Sequence, residues 1–458
     1  MKNSLFVLMP DGVGIKNYIY ANVFNDLDKS VTLLHKFKTE TLKDFEIDDQ
    51  IKFQHLRNYK ETFFEKYYRE KIHLSRLKYN ASLKSNSSIL SNYMPKKNKL
   101  SHKLFYSIVE ISTRKNISKN HIHWLEKRYE KLLRKSRVYK EYYHFFKKHE
   151  SSKLFCTHQR AIIAAPIFAA AKDAGIETIT AIYSWDNLPK ARLALRADKY
   201  IVWSPYMKNE LKAYYPEIKN HQIKVFGTPQ FEFHYDKSLL WTREKLAAYY
   251  HLDMNKKWLC FSGDDKTTSP FDQHYLKDIA KILSENELVN QWQILLRPVP
   301  VEGFDKYQEV IDQYPHLIKK TGAAWKLSSE WSDAYPKKED LSVLSSLCEH
   351  ADAVINVGST MALDFGMHQK PAIYINYEAK ENSYWSIKRI YKFQHFRSME
   401  NIEPVVWLDS PEQIIEILNN LDNYKQRTKK DMELWCEKII PFNLRLESSQ
   451  LIENELNI

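Results

Sequence analysis

The residues best suited to binding chemistry lie in the last quarter of the chain, where an apolar run ends in a glycine and two hydroxyls. Residues 353–357 are almost entirely apolar, and Gly358, Ser359 and Thr360 follow them. A strand buried on both faces gives such a run, and the next three residues would then begin a helix, whose free backbone N–H groups bind phosphate. Asp364 lies one helical turn further on the same face, placed to accept hydrogen bonds from a ribose. This stretch therefore predicts a nucleotide-phosphate site.

An ordinary strand-to-helix turn is the alternative interpretation, because Ser and Thr also cap helices. Lys370 and Pro371 open a second apolar run, so the whole segment has the order strand, turn, helix, strand. This segment resembles the nucleotide-diphosphate element of the GT-B glycosyltransferases and their relatives, the CDP-glycerol glycerophosphotransferases and the non-hydrolysing UDP-N-acetylglucosamine epimerases. In that superfamily a Gly-Ser/Thr turn opens a helix, a carboxylate follows about one turn later, and Lys-Pro begins the closing strand.

Two further predicted strands in this half end in residues that suit phosphate binding. One strand ends at Gly263 and another leads to Arg297, whose guanidinium suits paired contacts with phosphate oxygens. Ligands of parallel α/β sheets bind beyond the carboxyl ends of the strands, so both residues join the predicted donor site. Asp264 and Asp265 are adjacent and do not form an Asp-x-Asp metal motif; we interpret them as a capping turn. We therefore expect no metal and no cofactor beyond a nucleotide-sugar co-substrate.

Candidates for proton transfer follow the predicted strands of the first half of the chain. Sugar transfer requires a base that takes the proton of the acceptor hydroxyl. The GT-B resemblance favours Asp11, since many inverting members hold their base in the corresponding loop, whereas His158 has the more suitable ordinary pKa. Asp186 is the third candidate, with acceptor-hydroxyl binding as its alternative role and Trp185 stacking on a sugar face. The predicted acceptor-binding residues are Lys16, Asn17, Arg160, Trp185 and Asn187.

The order of the predicted elements indicates an α/β fold with two Rossmann-like domains. The first thirty-odd residues predict a strand, a glycine turn, a helix and a second strand, which open a Rossmann-like unit. The turn carries Gly12 and Gly14 but not the complete GxGxxG pattern, so it is weak evidence for a dinucleotide site. Residues 225–231, VFGTPQF, are similar to the interdomain linker of GT-B enzymes.

The resemblance implies two domains that face a central cleft. We expect an N-terminal acceptor domain at 1–230, with a basic helical insertion at about 50–150, and a nucleotide-donor domain at 231–420. A helical segment at 421–458 is then expected to cross back to the first domain, as the C-terminal helices of the family do.

The predicted insertion carries the positive charge of the chain. Residues 51–150 contain 25 lysines and arginines and 8 acidic residues, a balance of +17, so the remainder of a chain with net charge +12 is slightly acidic. This segment has no glycine and one proline, and its aromatics recur at helical spacing, except in a polar stretch at 80–98 that predicts a mobile loop. The pattern fits an interfacial helix on an anionic membrane, packed helices with a solvated face, or a groove for an acidic acceptor.

Composition sets outer bounds on the protein class. A chain of 458 residues with 43% hydrophobic residues is long enough for two or three globular domains. No run of eighteen apolar residues occurs, and the N-terminal apolar run is too short for a signal peptide, so we expect a cytoplasmic protein, peripheral to the membrane if the insertion binds it. The four cysteines have no CxxC spacing, and Cys156 and Cys260 are predicted to be buried thiols.

These observations favour a metal-independent glycosyltransferase that uses a nucleotide-sugar donor and a cell-surface polysaccharide or lipid-linked glycan acceptor. A CDP-glycerol-type polyol-phosphate transferase is the alternative within the same fold, although its usual His-Pro is replaced here by Arg297-Pro298. The acid residues of the epimerases are not recognisable. A nucleic-acid-binding protein with a degenerate nucleotide fold is the alternative from another class, but no stacking or helix-turn-helix motif supports nucleic acid as a partner.

Overall fold

A computed structural model describes residues 4–457, except 46, 48–49, 116, 150, 194–195, 301, 328–333 and 381–384. The chain forms two compact units. The first contains residues 1–228, 393–395 and 447–458, and the second contains residues 229–392 and 396–446. The division after Thr228 lies two residues before the boundary predicted at 230. Of the predicted terminal segment 421–458, the part before Glu447 belongs to the second unit and the rest to the first.

Seven parallel strands form the sheet of the first unit: β1 (Ser4–Met9), β2 (Ser30–His35), β3 (Lys52–His55), β4 (Ser151–Cys156), β5 (Glu177–Ala181), β6 (Lys199–Val202) and β7 (Ile223–Val225). Their order across the sheet is β3-β2-β1-β4-β5-β6-β7. The inner strand β1 is buried from Leu5 to Met9, as expected for a parallel strand covered on both faces.

The helices of this unit are α1 (Thr39–Leu42), α2 (Phe63–Leu83), α3 (Leu100–Ser112), α4 (Lys119–Leu133), α5 (Arg137–Lys148), α6 (Ala164–Asp173) and α7 (Pro205–Tyr214), with a π-helical turn at Ile15–Ile19. Helices α2 to α5 form the predicted insertion between β3 and β4. Most of the loop predicted at 80–98 is instead ordered, because α2 continues to Leu83 and a 3₁₀ helix occupies Ser87–Asn92.

A buried ion-pair network fixes the insertion to the sheet. Arg76 on α2 and Arg196 before β6 both donate to the carboxylates of Glu126 and Glu217, at 2.6 to 2.7 Å. Both guanidiniums also lie over the Tyr215 ring, 4.3 and 4.8 Å from its centre. Because each buried charge has opposite charges beside it, removal of one partner would leave an uncompensated ion, and this ties α2 and α4 to the strands.

Six parallel strands form the sheet of the second unit: β8 (Lys257–Ser262), β9 (Trp292–Arg297), β10 (Ile318–Lys320), β13 (Ala353–Asn356), β14 (Ala372–Ile375) and β15 (Val406–Leu408), while β11 (Trp325–Lys326) and β12 (Tyr335–Pro336) form a separate antiparallel pair. The strand order is β10-β9-β8-β13-β14-β15. The predicted strand-turn-helix-strand at 353–375 is therefore confirmed.

The remaining helices, in chain order, are α8 (Arg243–Tyr250), α9 (Asp272–Glu285), α10 (Gln308–Gln313), α11 (Glu339–His350), α12 (Met361–Met367), α13 (Ile387–Ile390), α14 (Gln413–Asn419), α15 (Leu421–Ile439) and α16 (Leu444–Asn457). They belong to the second unit, except that α16 from Glu447 onwards belongs to the first. Two Rossmann-like sheets with helices confirm the predicted fold class. Within the described part of the chain, no helix combines the length and the apolar character needed to cross a bilayer. All four cysteines are buried, and none of them forms a disulfide.

Candidate functional site

Asp11 and His158 form a hydrogen-bonded pair at the carboxyl end of the first sheet. Asp11 follows β1 and His158 follows β4, and because these strands are neighbours, two residues 147 positions apart meet. Nδ1 of His158 lies 2.5 Å from Oδ2 of Asp11, and the other carboxylate oxygen accepts a hydrogen bond from the backbone N–H of Val13 at 3.3 Å. The carboxylate therefore favours the imidazole tautomer that carries its proton on Nδ1.

A glycine permits the close approach of the two loops behind this pair. A Cβ atom at Gly14 would lie 2.8 Å from Cγ of Met9 and 2.9 Å from Oγ1 of Thr157, the residue before His158. The turn after β1 can therefore contact the end of β4 only because Gly14 has no side chain. This packing explains the glycine in the first loop without a dinucleotide.

The second ring nitrogen of His158 is unused. Nε2 is shielded from solvent and has no hydrogen-bond partner in the described part of the chain. The Tyr183 ring stacks on the imidazole, with ring centres 4.5 Å apart and an angle of 29° between the planes. Burial, together with the charges of Asp11 and Asp186, raises the pKa of the Tyr183 hydroxyl. A histidine held by a carboxylate on one nitrogen and free on the other has the arrangement of a general base.

Asp186, the third candidate base, is engaged in hydrogen bonds. Its carboxylate accepts from the Ser184 hydroxyl at 2.7 Å, from the Asn187 amide at 2.9 Å and from the Lys190 ammonium. Burial alone would raise the pKa of Asp186. The Lys190 ammonium has the largest opposing effect, and together with His395 and these hydrogen bonds it holds the pKa well below its usual range. The structure therefore gives this carboxylate a positioning role in the loop rather than the environment of a base.

The predicted acceptor residues after β4 and β5 share one hydrogen-bond network. Oδ1 of Asn187 accepts from Nε2 of Gln159 and from Nη1 of Arg160, both at 3.3 Å. Trp185, expected to stack on a sugar, is instead 3% exposed and packs edge-on against His395, with ring centres 5.0 Å apart. Its burial in the loop leaves it no free ring face, so the structure argues against the stacking role.

Lys16 and Asn17 lie in the π-helical turn that follows the first glycine loop. Asn17 is buried, and its Oδ1 atom has no hydrogen-bond partner among the residues described. Lys16 is half-buried. An unpartnered buried amide oxygen costs free energy unless a ligand or water pairs with it, so Asn17 remains a candidate ligand contact.

A group of cations borders the same loops and extends the site beyond the predicted residues. Arg192 is half-buried and makes no hydrogen bond or ion pair within the described ranges. Burial lowers the pKa of Arg192, and the Arg69 and Arg160 guanidiniums lower it further, although Glu70 opposes them. Burial also lowers the pKa of His73 to about 3, with help from Arg192. Such a cluster of cations provides a favourable environment for an anion.

In the second unit, the glycine-hydroxyl turn follows β13 as predicted. Gly358 has φ +73°, and a Cβ atom there would lie 2.5 Å from Cζ of Phe396. Ser359 is used inside the protein: its backbone N–H donates to Oδ1 of Asn356 at 2.8 Å, and its carbonyl accepts a hydrogen bond from the Tyr374 hydroxyl at 3.2 Å. No hydrogen bond joins the Thr360 hydroxyl to any described residue, so this group is free for a ligand.

Gly263 and Arg297 lie side by side at the ends of β8 and β9, and β13 is the next strand to β8. The Gly263 N–H donates to the Arg297 carbonyl at 3.0 Å. Nη2 of Arg297 donates to Oδ1 of Asp340 at 3.1 Å, while its buried Nη1 has no partner in the described segments. The structure thus brings the two predicted phosphate ligands together, and shows that Arg297 also neutralises a buried carboxylate.

Asp364 lies near the start of α12 and makes one internal contact. Its Oδ1 atom lies 2.9 Å from Nε2 of His234, whose Nδ1 atom is 3.0 Å from Nε2 of His368. The imidazole of His368 in turn contacts Glu349 at 2.7 Å. Oδ2 of Asp364 has no partner within the described ranges, so one oxygen remains for the predicted ribose contact.

A pair of buried carboxyls after β8, Asp264 and Asp272, was not predicted from the sequence. The Asp264 N–H donates to Oδ2 of Asp272 at 2.6 Å, and Tyr307 donates to the same oxygen at 3.1 Å. Burial and the neighbouring Asp272 raise the pKa of Asp264 well above its usual range. The predicted capping turn belongs to Asp265, which accepts from Thr267 N–H at 2.7 Å. The two adjacent aspartates after β8 were the only signal of this pair in the sequence. It does not indicate that Asp272, the partner of Asp264, lies on α9.

Within the described segments, no three histidine, cysteine or acidic side chains converge in a way that could hold a metal ion. No family profile matches the sequence, and no curated protein matches it by sequence. Solved structures do match its fold. A glycosyltransferase from Rickettsia africae ESF-5 aligns with a TM-score of 0.52 and 12% identity over 99% of this chain and 98% of that chain.

Two more solved structures align over almost the whole chain. A variant of the wall teichoic acid polymerase TagF gives a TM-score of 0.51 and 12% identity, covering 99% of this chain and 88% of that one. The S. aureus MnaA–UDP structure gives 0.52 and 10% identity, with 99% and 96% covered. At such identities the likeness establishes the fold alone, and it confirms the GT-B-type architecture predicted from the sequence.

Proposed function

We propose that this chain is a glycosyltransferase that moves a sugar from a nucleotide-sugar donor to a hydroxyl of a cell-surface or lipid-linked glycan. The hydrogen-bonded pair Asp11–His158 carries the proposal, because an oriented imidazole with a free Nε2 suits removal of a hydroxyl proton. The fold supports it as well, since one structural neighbour is a glycosyltransferase and another was solved with UDP. The resemblance is to metal-independent members, and the proposal includes no metal.

The two residues have different roles in this mechanism. Nε2 of His158 accepts the proton of the acceptor hydroxyl as that oxygen bonds to the anomeric carbon and the bond from this carbon to the nucleoside diphosphate breaks. Asp11 accepts the hydrogen bond from Nδ1 and stabilises the imidazolium that forms. We therefore assign the base to His158 and a positioning role to Asp11, which reverses the order favoured by the sequence.

On the donor side, we assign the nucleotide phosphates to Gly263, Gly358, Thr360 and Arg297. Two donors without protein partners support this assignment: the partly buried Thr360 hydroxyl, and the buried Nη1 of Arg297, which is costly to leave unpaired without a ligand. Ser359 helps indirectly, since the backbone hydrogen bonds that join it to Asn356 and Tyr374 hold the turn. Asp364 offers Oδ2 to the ribose.

On the acceptor side, Arg160 and Arg192 favour an acceptor that carries an anionic group. Arg160 has Asn187 as its hydrogen-bond partner, and Arg192 has no carboxylate within ion-pair distance among the described residues. A phosphate or carboxylate on the glycan would compensate both charges. The sequence leaves an acidic acceptor open as one interpretation of the basic segment 51–150, whereas Arg160 and Arg192 lie outside that segment.

Variants of the pair test the proposal. Nucleotide release from UDP-, GDP-, dTDP-, CMP- and CDP-linked donors is measured for the wild type, His158→Ala and Asp11→Asn, with His123→Ala, an exposed histidine, as the control. We expect His158→Ala to lower kcat by about 10²–10⁴-fold, and Asp11→Asn to lower it less. A His158→Ala variant with wild-type turnover would contradict the assignment. If Asp11→Asn were inactive in the same assay, Asp11 would be the base.

A CDP-glycerol-type polyol-phosphate transferase remains the second candidate function. The similarity in fold to wall teichoic acid polymerase TagF favours it, and the same base would serve a hydroxyl that attacks phosphorus. Inclusion of CDP-glycerol among the donors distinguishes the two functions by the product released. A cytoplasmic location stays a prediction.

A further inference from the structure

Helix α3 of the insertion carries two apolar faces, and only one of them packs against the protein. Phe105, Tyr106 and Val109 are buried in a cluster with Leu74 of α2. The opposite face presents four apolar residues that are 42 to 83% exposed: Leu100, Leu104, Ile108 and Ile111. At 100° per residue these four lie within one stripe about 80° wide, whose centre is about 150° around the helix from the centre of the buried face.

Three more exposed apolar residues lie in the same part of the insertion. Phe63 and Phe64 at the start of α2 are 56 and 61% exposed, and Met94 before α3 is 62% exposed. The Phe63 ring lies 5.5 Å from the Phe105 ring, which places it beside α3. Single exposed apolar side chains are common in proteins, but a continuous group marks an interaction surface.

Lysines without carboxylate partners flank the stripe. Lys96, Lys99 and Lys103 are exposed and make no ion pair in the described part of the chain. The only acidic residue of α3, Glu110, is neutralised by Lys97 at 2.8 Å. Apolar residues on one face and unpaired cations beside them have the chemistry of a lipid interface, where acyl chains lie below a layer of phosphates.

We propose that α3 binds the surface of an anionic lipid bilayer, with the stripe in the acyl boundary and the three lysines at the level of the headgroup phosphates. A second copy of this chain is a poorer partner, because a two-fold contact through this face would bring both sets of these lysines into one interface, where the Glu110 carboxylate is already paired with Lys97. A nucleic acid would satisfy the lysines and leave the stripe in water. This proposal does not depend on the transferase activity.

Sedimentation of the full chain with vesicles tests the proposal. Vesicles of phosphatidylcholine alone and with phosphatidylserine are compared at low and high salt. One variant replaces the stripe with serine at Leu100, Leu104 and Ile111, and another replaces Lys96, Lys99 and Lys103 with glutamate. The matched control makes the same charge change at three lysines of α15: Lys425, Lys429 and Lys430.

We expect the wild type to bind anionic vesicles only, and high salt to reduce this binding. The α3 lysine variant should bind about 100-fold or more weakly, whereas the α15 control should bind almost as well as the wild type. The serine variant is also expected to lose binding, and a Leu104→Trp variant to be quenched by brominated lipid, because adsorption by charge alone would not insert the helix. No binding to either vesicle type overturns the proposal. So does equal loss in the α15 control, or self-association of the chain that the serine variant abolishes.

Discussion

A buried glutamate on α7 makes the stability of the first unit depend on pH. Glu210 is 5% exposed, and its Oε1 atom has no hydrogen-bond partner in the described part of the chain. Burial raises the pKa of Glu210 from 4.5 to about 8, with a further contribution from Asp186, although Lys84 and Tyr206 oppose it. The folded chain therefore holds a proton over a range in which the unfolded chain has released it.

The sign and size of the effect follow from these two values. Below pH 4.5 both states are protonated, and the stabilising contribution is complete. As the pH rises towards 8, the unfolded state loses its proton first, so the free energy of unfolding falls. A pKa that moves from 4.5 to about 8 corresponds to roughly 4–5 kcal/mol over this window, at 1.36 kcal/mol per pKa unit. Glu210→Gln has no proton to lose and should not show this fall.

Urea unfolding of the wild type and Glu210→Gln at pH 5, 7 and 9 measures the effect. The difference between the two proteins at each pH removes the contribution of the other titratable groups, and Glu433→Gln, an exposed site, provides the control. We expect Glu210→Gln to gain on the order of 4 kcal/mol relative to the wild type between pH 5 and pH 9. A difference that stays constant with pH refutes the reasoning, because the buried carboxyl would then titrate normally.

Two further predictions concern the second unit. Gly358→Ala should destabilise the chain by about 1–3 kcal/mol and weaken nucleotide binding, because the residue has φ +73° and a Cβ atom would lie 2.5 Å from the Phe396 ring. Thermal unfolding measures the stability and calorimetry measures the binding. An unchanged melting temperature would contradict this prediction. Arg297→Ala should cost about 3–5 kcal/mol of stability, since it leaves the buried Asp340 without its cation. Restoration of stability by the additional change Asp340→Asn is the control, and a stable single variant contradicts the buried ion pair.

Much of the fold could be predicted because buried parallel strands have a clear pattern in the sequence. The apolar runs at β1, β8 and β13 end in glycine or polar turns, and each was placed to within a few residues. The break between α4 and α5 could not be predicted, since residues 134–136 contain no glycine or proline and Ser136 begins the second helix by capping Tyr139 N–H at 3.1 Å.

The side-chain partners at the candidate site could not be predicted in the same way. Asp11 and His158 were both identified as strand-end residues, but their contact depends on β1 and β4 being neighbours across a helical insertion. The internal bonds of Ser359, the burial of Trp185 and the Asp264–Asp272 pair likewise depend on tertiary packing. Sequence periodicity reports which face a residue occupies, not which distant residue it meets.

Nucleotide binding by the full chain tests the proposed donor site directly. Calorimetric titration with UDP, GDP, CMP, CDP and dTDP is compared between the wild type and Thr360→Val, a substitution that removes a hydroxyl with no protein partner and keeps the shape of the side chain. We expect at least one nucleotide to bind the wild type. Thr360→Val should weaken this binding by about 1–3 kcal/mol and leave the thermal stability of the chain unchanged. No binding of any nucleotide, or equal affinity in the two proteins, would contradict the donor site, and tight binding of nucleic acid at physiological salt would favour the alternative class.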